Sequence, residues 1–184
     1  MSETKADTTS MGLFLISFLM LVLTIVGFFG FTENKDFMGV YVASTMVAWI
    51  LTIGFLFITF TMWKAGSKFL MIIFGLLTVF IYAYGVVGLA EGGASTQFFF
   101  IAIAIMMIIL GLIALLNKAG FMLTLLLICA GLVFLFYGLL AGAFVGGDEI
   151  KNFALLIGVF ALISFVISIW MALAMETDLG LPVM

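Results

Sequence analysis

The sequence predicts an all-α, polytopic membrane protein: a six-helix transmembrane bundle with both termini in the cytoplasm. Three observations carry that prediction. Of 184 residues, 67% are hydrophobic and only 8% charged, too few polar groups to cover a soluble globule. The charges fall in short clusters between long apolar runs. Those runs are roughly 20 residues or more, the length a helix rising about 1.5 Å per residue needs to cross a ~30 Å hydrocarbon core.

The elements follow from that punctuation. Residues 1–10 read as a polar, disordered tail. Helix 1 is expected over Met11–Phe31, too long an apolar stretch for a signal peptide and with no clear cleavage site after it. A turn with Glu33, Lys35 and Asp36 leads to helix 2, Phe37–Met62. Trp63–Lys68 turns into helix 3, Phe69–Ala90, and Glu91–Thr96 leads to helix 4, Gln97–Leu116. Asn117–Gly120 is a tight turn before helix 5, Phe121–Val145. Residues 146–152 form a loop before helix 6, Phe153–Met175, and 176–184 are a short tail. The membrane domain thus covers 11–175, with no room for a soluble domain.

Lysine sets the orientation. Six spans place Lys5, Lys64, Lys68 and Lys118 on one side, and Lys35 and Lys151 on the other among Glu33, Asp36, Glu91, Asp148 and Glu149. The excess of positive charge marks the cytoplasmic side. Net charge is −3 with no basic cluster, so nucleic acid is not an expected partner. Cys129 is the single cysteine and reads as a small buried hydrophobe. Lys-Ala-Gly recurs at 64–66 and 118–120. It reads either as a trace of helix-pair repetition or as shared turn chemistry, in which Gly ends a helix and Lys meets its C-terminal dipole.

The most informative feature is an absence. No Asp, Glu, Lys or His lies in the central part of any predicted span. Intramembrane catalysis, metal binding and carboxylate-based proton relays need such groups. The expectation is a non-enzyme without catalytic residues, metal or cofactor.

Uncharged polar groups remain. Tyr41, Thr45, Thr52 and Thr59 share one face of helix 2; Thr78 and Tyr82 sit four apart on helix 3, as do Ser164 and Ser168 on helix 6. They read as helix-packing groups or as the hydroxyl wall of a narrow conduit. The Thr45/Thr52/Thr59 row is the best conduit candidate. Gly131, Gly138, Gly142 and Gly146 of helix 5 read as packing positions. Trp49, Trp63 and Trp170 read as lipid-facing or interfacial.

Several segments are similar to the succinate–acetate permease family of small six-helix acetate uptake transporters. Met11-Gly12-Leu13-Phe14 stands where that family begins with Leu-Gly-Leu, and Val26-Gly27-Phe28-Phe29 resembles its Gly-aromatic-Phe. Trp63-Lys64-Ala65-Gly66-Ser67-Lys68-Phe69 looks like its turn after helix 2. Gln97-Phe98, Lys118-Ala119-Gly120 and Leu181-Pro182-Val183 resemble the start of its helix 4, a Lys-Gly turn and its closing Leu-Pro-Ile. The family's Asn-Pro-Ala-Pro-Leu-Gly-Leu signature is replaced by Asp7-Thr8-Thr9-Ser10-Met11-Gly12-Leu13, without either proline. The family's Phe, Tyr and Leu constriction aligns with Ile16, Leu77 and Gly131. The resemblance implies a plasma-membrane transporter or channel for a small organic acid of the acetate or succinate type, assembled as a homo-oligomer, a hexamer in that family. The competing expectation is a non-catalytic accessory subunit of a larger membrane complex.

Overall fold

A computed structural model of the chain describes residues 2–29, 37–89, 94–118, 120–141 and 149–176. Side chains are described from Thr9 in the first helix, from Val47 in the second, up to Tyr82 in the third and from Phe98 in the fourth. These residues form six helices: α1 Ser2–Phe29, α2 Phe37–Lys64, α3 Lys68–Leu89, α4 Ala94–Leu116, α5 Phe121–Ala141 and α6 Glu149–Glu176. Five of them, α1, α2, α4, α5 and α6, are long and apolar enough to cross a membrane. The sixth, α3, has 22 residues.

Three helix starts differ from expectation by three residues or more, among them that of α4, expected from Gln97 and found at Ala94. The helix expected from Met11 begins at Ser2, so residues 2–10 are helical and not a disordered tail. A helix N-terminus carries the positive end of the helix dipole. Thr9 and Ser10 are buried, which ties the extension to the bundle. The helix expected from Phe153 begins at Glu149, an acidic residue in the first turn acting on the same dipole. Residues 142–148, which include Gly142, Gly146 and the last residues assigned to helix 5, lie outside the described set.

The helices pack antiparallel and mostly with their chain neighbours. Residues late in α1 meet residues early in α6, with Gly27 and Phe28 against Gly158. Phe55 stacks on Phe74, and Trp49 meets Tyr82 edge-on, between α2 and α3. Gly131 packs on Ala104 and Ile108 between α5 and α4. Contacts of α1 with α2 and of α5 with α6 continue the ring, while among the described residues α3 and α4 touch only sparsely.

The α1–α6 seam is the closest. A Cβ on Gly27 would lie 2.6 Å from Gly158 Cα, so two backbones fill space that side chains take elsewhere. In α6, Ala154, Gly158, Ala161, Ser164, Ser168 and Ala172 are all buried. Apolar side chains gain little by leaving lipid, so helices in a membrane adhere through close packing of this kind.

The two Lys-Ala-Gly turns are built differently. After α2, Gly66 has φ +70°. Ser67 N–H donates to Met62 O at 3.1 Å and Gly66 N–H to Trp63 O at 3.0 Å, the Schellman pairing that satisfies the last carbonyls of a helix. After α4, Lys118 itself takes the left-handed conformation at φ +53°. Its N–H donates to Leu115 O at 3.1 Å. The shared tripeptide therefore occupies two registers, one residue type serving two roles, which favours turn chemistry over a repeat.

Candidate functional site

The bundle encloses a cavity of about 240 Å³ at the end that carries the α2–α3 and α4–α5 turns. The odd-numbered helices form most of its wall: Thr9, Leu13, Ile16 and Met20 from α1; Leu70, Ile73, Phe74 and Leu77 from α3; Leu123, Leu126, Leu127 and Ala130 from α5. Met107 of α4 and Met171 and Met175 of α6 complete it, and α2 contributes no described residue. The spacing explains the wall. Positions 9, 13, 16 and 20 recur every three or four residues, one stripe of a helix, and 123, 126, 127 and 130 do the same.

Farther along the same helices lies a tighter space, about 10 Å³, among Leu19, Leu23, Ile81, Phe100, Val133, Phe134 and Tyr137. The Phe100 and Tyr137 rings meet edge-on at 5.1 Å there. The axis of the bundle thus widens at one end and is nearly closed at mid-height.

Thr9 is the one polar side chain among the described residues lining the larger cavity. Four thioethers, from Met20, Met107, Met171 and Met175, give the wall an unbranched, adaptable surface. An apolar cavity of about 150 Å³ stays dry and accepts benzene, so the larger volume here accommodates a solute of several heavy atoms. Among the described residues, no three His, Cys, Asp or Glu side chains gather where a metal could bind.

The residues singled out from sequence divide into groups. Ile16 and Leu77 meet in the cavity wall. Gly131 does not; it lies against α4, where a Cβ would sit 2.8 Å from Ile108 Cγ1, and its neighbour Ala130 reaches the cavity. The described members of the helix 2 row, Thr52 and Thr59, lie outside the lining. Thr52 Oγ1 donates to Ala48 O at 2.9 Å and Thr59 Oγ1 to Phe55 O at 2.8 Å. Thr78 Oγ1 donates to Phe74 O at 2.8 Å, and its oxygen is 3.3 Å from Thr59 Oγ1. Each hydroxyl has one proton, so when the pair bonds across α2 and α3 one of the two threonines gives up the carbonyl of its own helix.

Ser164 Oγ donates to Phe160 O at 2.9 Å and Ser168 Oγ to Phe165 O at 3.0 Å, the back-bonding common for hydroxyls inside helices. Tyr82 is half-exposed on the outside, with its ring edge-on to Trp49 at 5.2 Å. Tyr41 and Thr45 lie in the part of α2 whose side chains fall outside the described set. Sequence reasoning missed Met20, Met107, Met171, Met175 and Phe74. No signal marks them, since a methionine facing a cavity and one facing a neighbouring helix look alike in an apolar run.

No protein-family model matches the chain, and neither a curated protein nor a solved structure does.

Proposed function

We propose that this protein crosses the plasma membrane six times, with both termini cytoplasmic, and passes a small monocarboxylic acid in its uncharged form. The observation that supports this reading is the apolar cavity between the helices, set toward the lysine-bearing end, with a much tighter space at mid-height. Lys64, Lys68 and Lys118 are exposed at that end, which makes it the cytoplasmic one under the positive-inside rule. The resemblance to succinate–acetate permeases supplies the solute class and a homo-oligomer, a hexamer in that family, as the assembly.

The lining decides the charge state. Moving a carboxylate from water into an apolar space without a partner charge is prohibitive, whereas a neutral acid loses roughly 2–7 kcal/mol if its hydroxyl goes unbonded. Each added methylene returns about 0.8 kcal/mol. The cavity therefore favours acids with a short hydrocarbon tail over acetate, and disfavours succinate, which carries two polar ends. The chain performs no chemistry on the solute in this reading.

Uptake of labelled acetate, butyrate and succinate into liposomes, against protein-free liposomes, tests the proposal. Saturable, protein-dependent uptake is expected for butyrate above acetate, rising as pH falls, and none for succinate. Leu77→Trp, which fills the cavity, lowers uptake at least tenfold, whereas Thr52→Val leaves it unchanged. No saturable uptake by folded protein overturns the proposal.

A second reading, the accessory subunit, draws on the scarcity of polar side chains in the lining: nothing described there grips a carboxyl group from two sides. Extraction in a mild detergent separates the two. A self-sufficient homo-oligomer supports the conduit, and a stable complex with other subunits supports the accessory role.

A further inference from the structure

The sparse seam between α3 and α4 is open toward the outside of the bundle. Leu76 and Val79 of α3, with Phe99, Ala102, Ile103 and Met106 of α4, border a groove of about 180 Å³ without a polar side chain among its described residues. Leu76 and Val79 lie 8 and 11 residues beyond Lys68, or about 12–17 Å along the helix, near the middle of a ~30 Å hydrocarbon core. The flanking surface is exposed and apolar, with Val79 61%, Ile105 51% and Met106 44% accessible. In a bilayer that surface faces acyl chains.

Met107 belongs both to the floor of this groove and to the wall of the central cavity. Its side chain therefore borders both the outer groove and the interior space. It is unbranched and turns about three bonds, so a rotamer change can connect the two without moving a helix. The polar end is also provided for. α3 begins at Lys68, and the turn after α4 carries Lys118. The antiparallel helices bring both exposed lysines to the same end of the groove, where headgroups lie.

We propose that an anionic phospholipid occupies this seam, its headgroup at the Lys68 and Lys118 end, its acyl chain along the groove, and the chain terminus reaching the central cavity past Met107. Charge and hydrocarbon follow one another along the seam as they do along a lipid. An unfilled groove would forfeit dispersion contacts on its whole wall. A second copy of this chain would have to insert a ridge of side chains into the recess. The site stands independently of the organic-acid reading, because it is tested with no solute present.

The test uses the full chain in phosphatidylcholine vesicles doped with phosphatidylglycerol bearing a photoactivatable diazirine on one acyl chain. Adducts are mapped by mass spectrometry. Labelling is expected at Met107 and at cavity-wall residues such as Leu127 and Phe74, as well as at the outer residue Ile50. Lys68→Gln and Lys118→Gln each lower cavity labelling about fivefold and leave Ile50 labelling unchanged, as expected for removing one lysine from an anionic surface. Met107→Leu retains cavity labelling, and Met107→Trp abolishes it. Adducts confined to outer residues in the folded wild-type chain overturn the proposal. So does equal cavity labelling from the phosphatidylcholine analogue, or efficient disulfide dimerisation of Ala102→Cys, which would place a second copy in the groove.

Discussion

The α1–α6 seam and the α3–α4 seam use the same apolar alphabet to opposite ends. At the first, Gly27 meets Gly158 backbone to backbone, and α6 presents Ala154, Ala161, Ser164, Ser168 and Ala172 as a buried stripe of small residues. At the second, Leu76, Val79, Phe99, Ile103 and Met106 stand around a groove. Small residues let helix axes approach until main chains touch, while bulky ones hold them apart. Seam strength in this bundle is thus set by what the side chains leave out, not by how much apolar surface they add.

Substitutions at the two seams sharpen the contrast. The largest effect is expected from Gly158→Leu, because the new side chain meets Phe28 at its first carbon, 3.0 Å from Cδ1. With both helices fixed by their neighbours, the loss is at least about 3 kcal/mol, seen as failure to fold or a collapse of the thermal transition in detergent. Gly131→Val ranks next. Its Cβ would lie 2.8 Å from Ile108 Cγ1 and 3.1 Å from Ala104 O; the side chain can turn away but the carbonyl cannot, and about 2 kcal/mol is expected to go. A smaller effect of opposite sign is expected at Lys118, held at φ +53°. Lys118→Gly relieves that conformation and raises stability by about 1 kcal/mol in the same melt. The smallest change is expected from Ala102→Leu, which projects into the open groove and shifts stability by no more than about 0.5 kcal/mol. If Ala102→Leu proves as damaging as Gly158→Leu, the two seams are equally tight and the comparison fails.

How far the sequence disclosed this arrangement depends on the feature. Helix positions were legible because hydropathy in a membrane is set by the solvent, residue by residue. The start of α1 was not, because Thr9 and Ser10 look like tail by composition and become buried only through tertiary contacts. The hydroxyl row of helix 2 was legible as a row. Which neighbour it faces depends on rotation of the helix, and the described part turns Thr59 toward Thr78 of α3. Gly131 and Ala130 show the same limit: one residue is about 100° of helix rotation, enough to exchange a helix contact for a cavity wall. Ile16 and Leu77, picked out through the family resemblance as constriction residues, both line the wider cavity, and neither lines the narrow space. Met107 was beyond reach from sequence, since its importance lies in bordering two spaces that only the packed bundle defines.

The near-closure at mid-height has an electrical consequence. Proton conduction needs an unbroken file of water, and water enters a cavity only where polar groups hold it. Beyond the roughly 240 Å³ chamber, the described residues leave about 10 Å³ of space among aliphatic and aromatic side chains. On the reading proposed above, the resting protein is therefore expected to conduct no protons, and liposomes that contain it hold an imposed pH gradient as long as protein-free ones do.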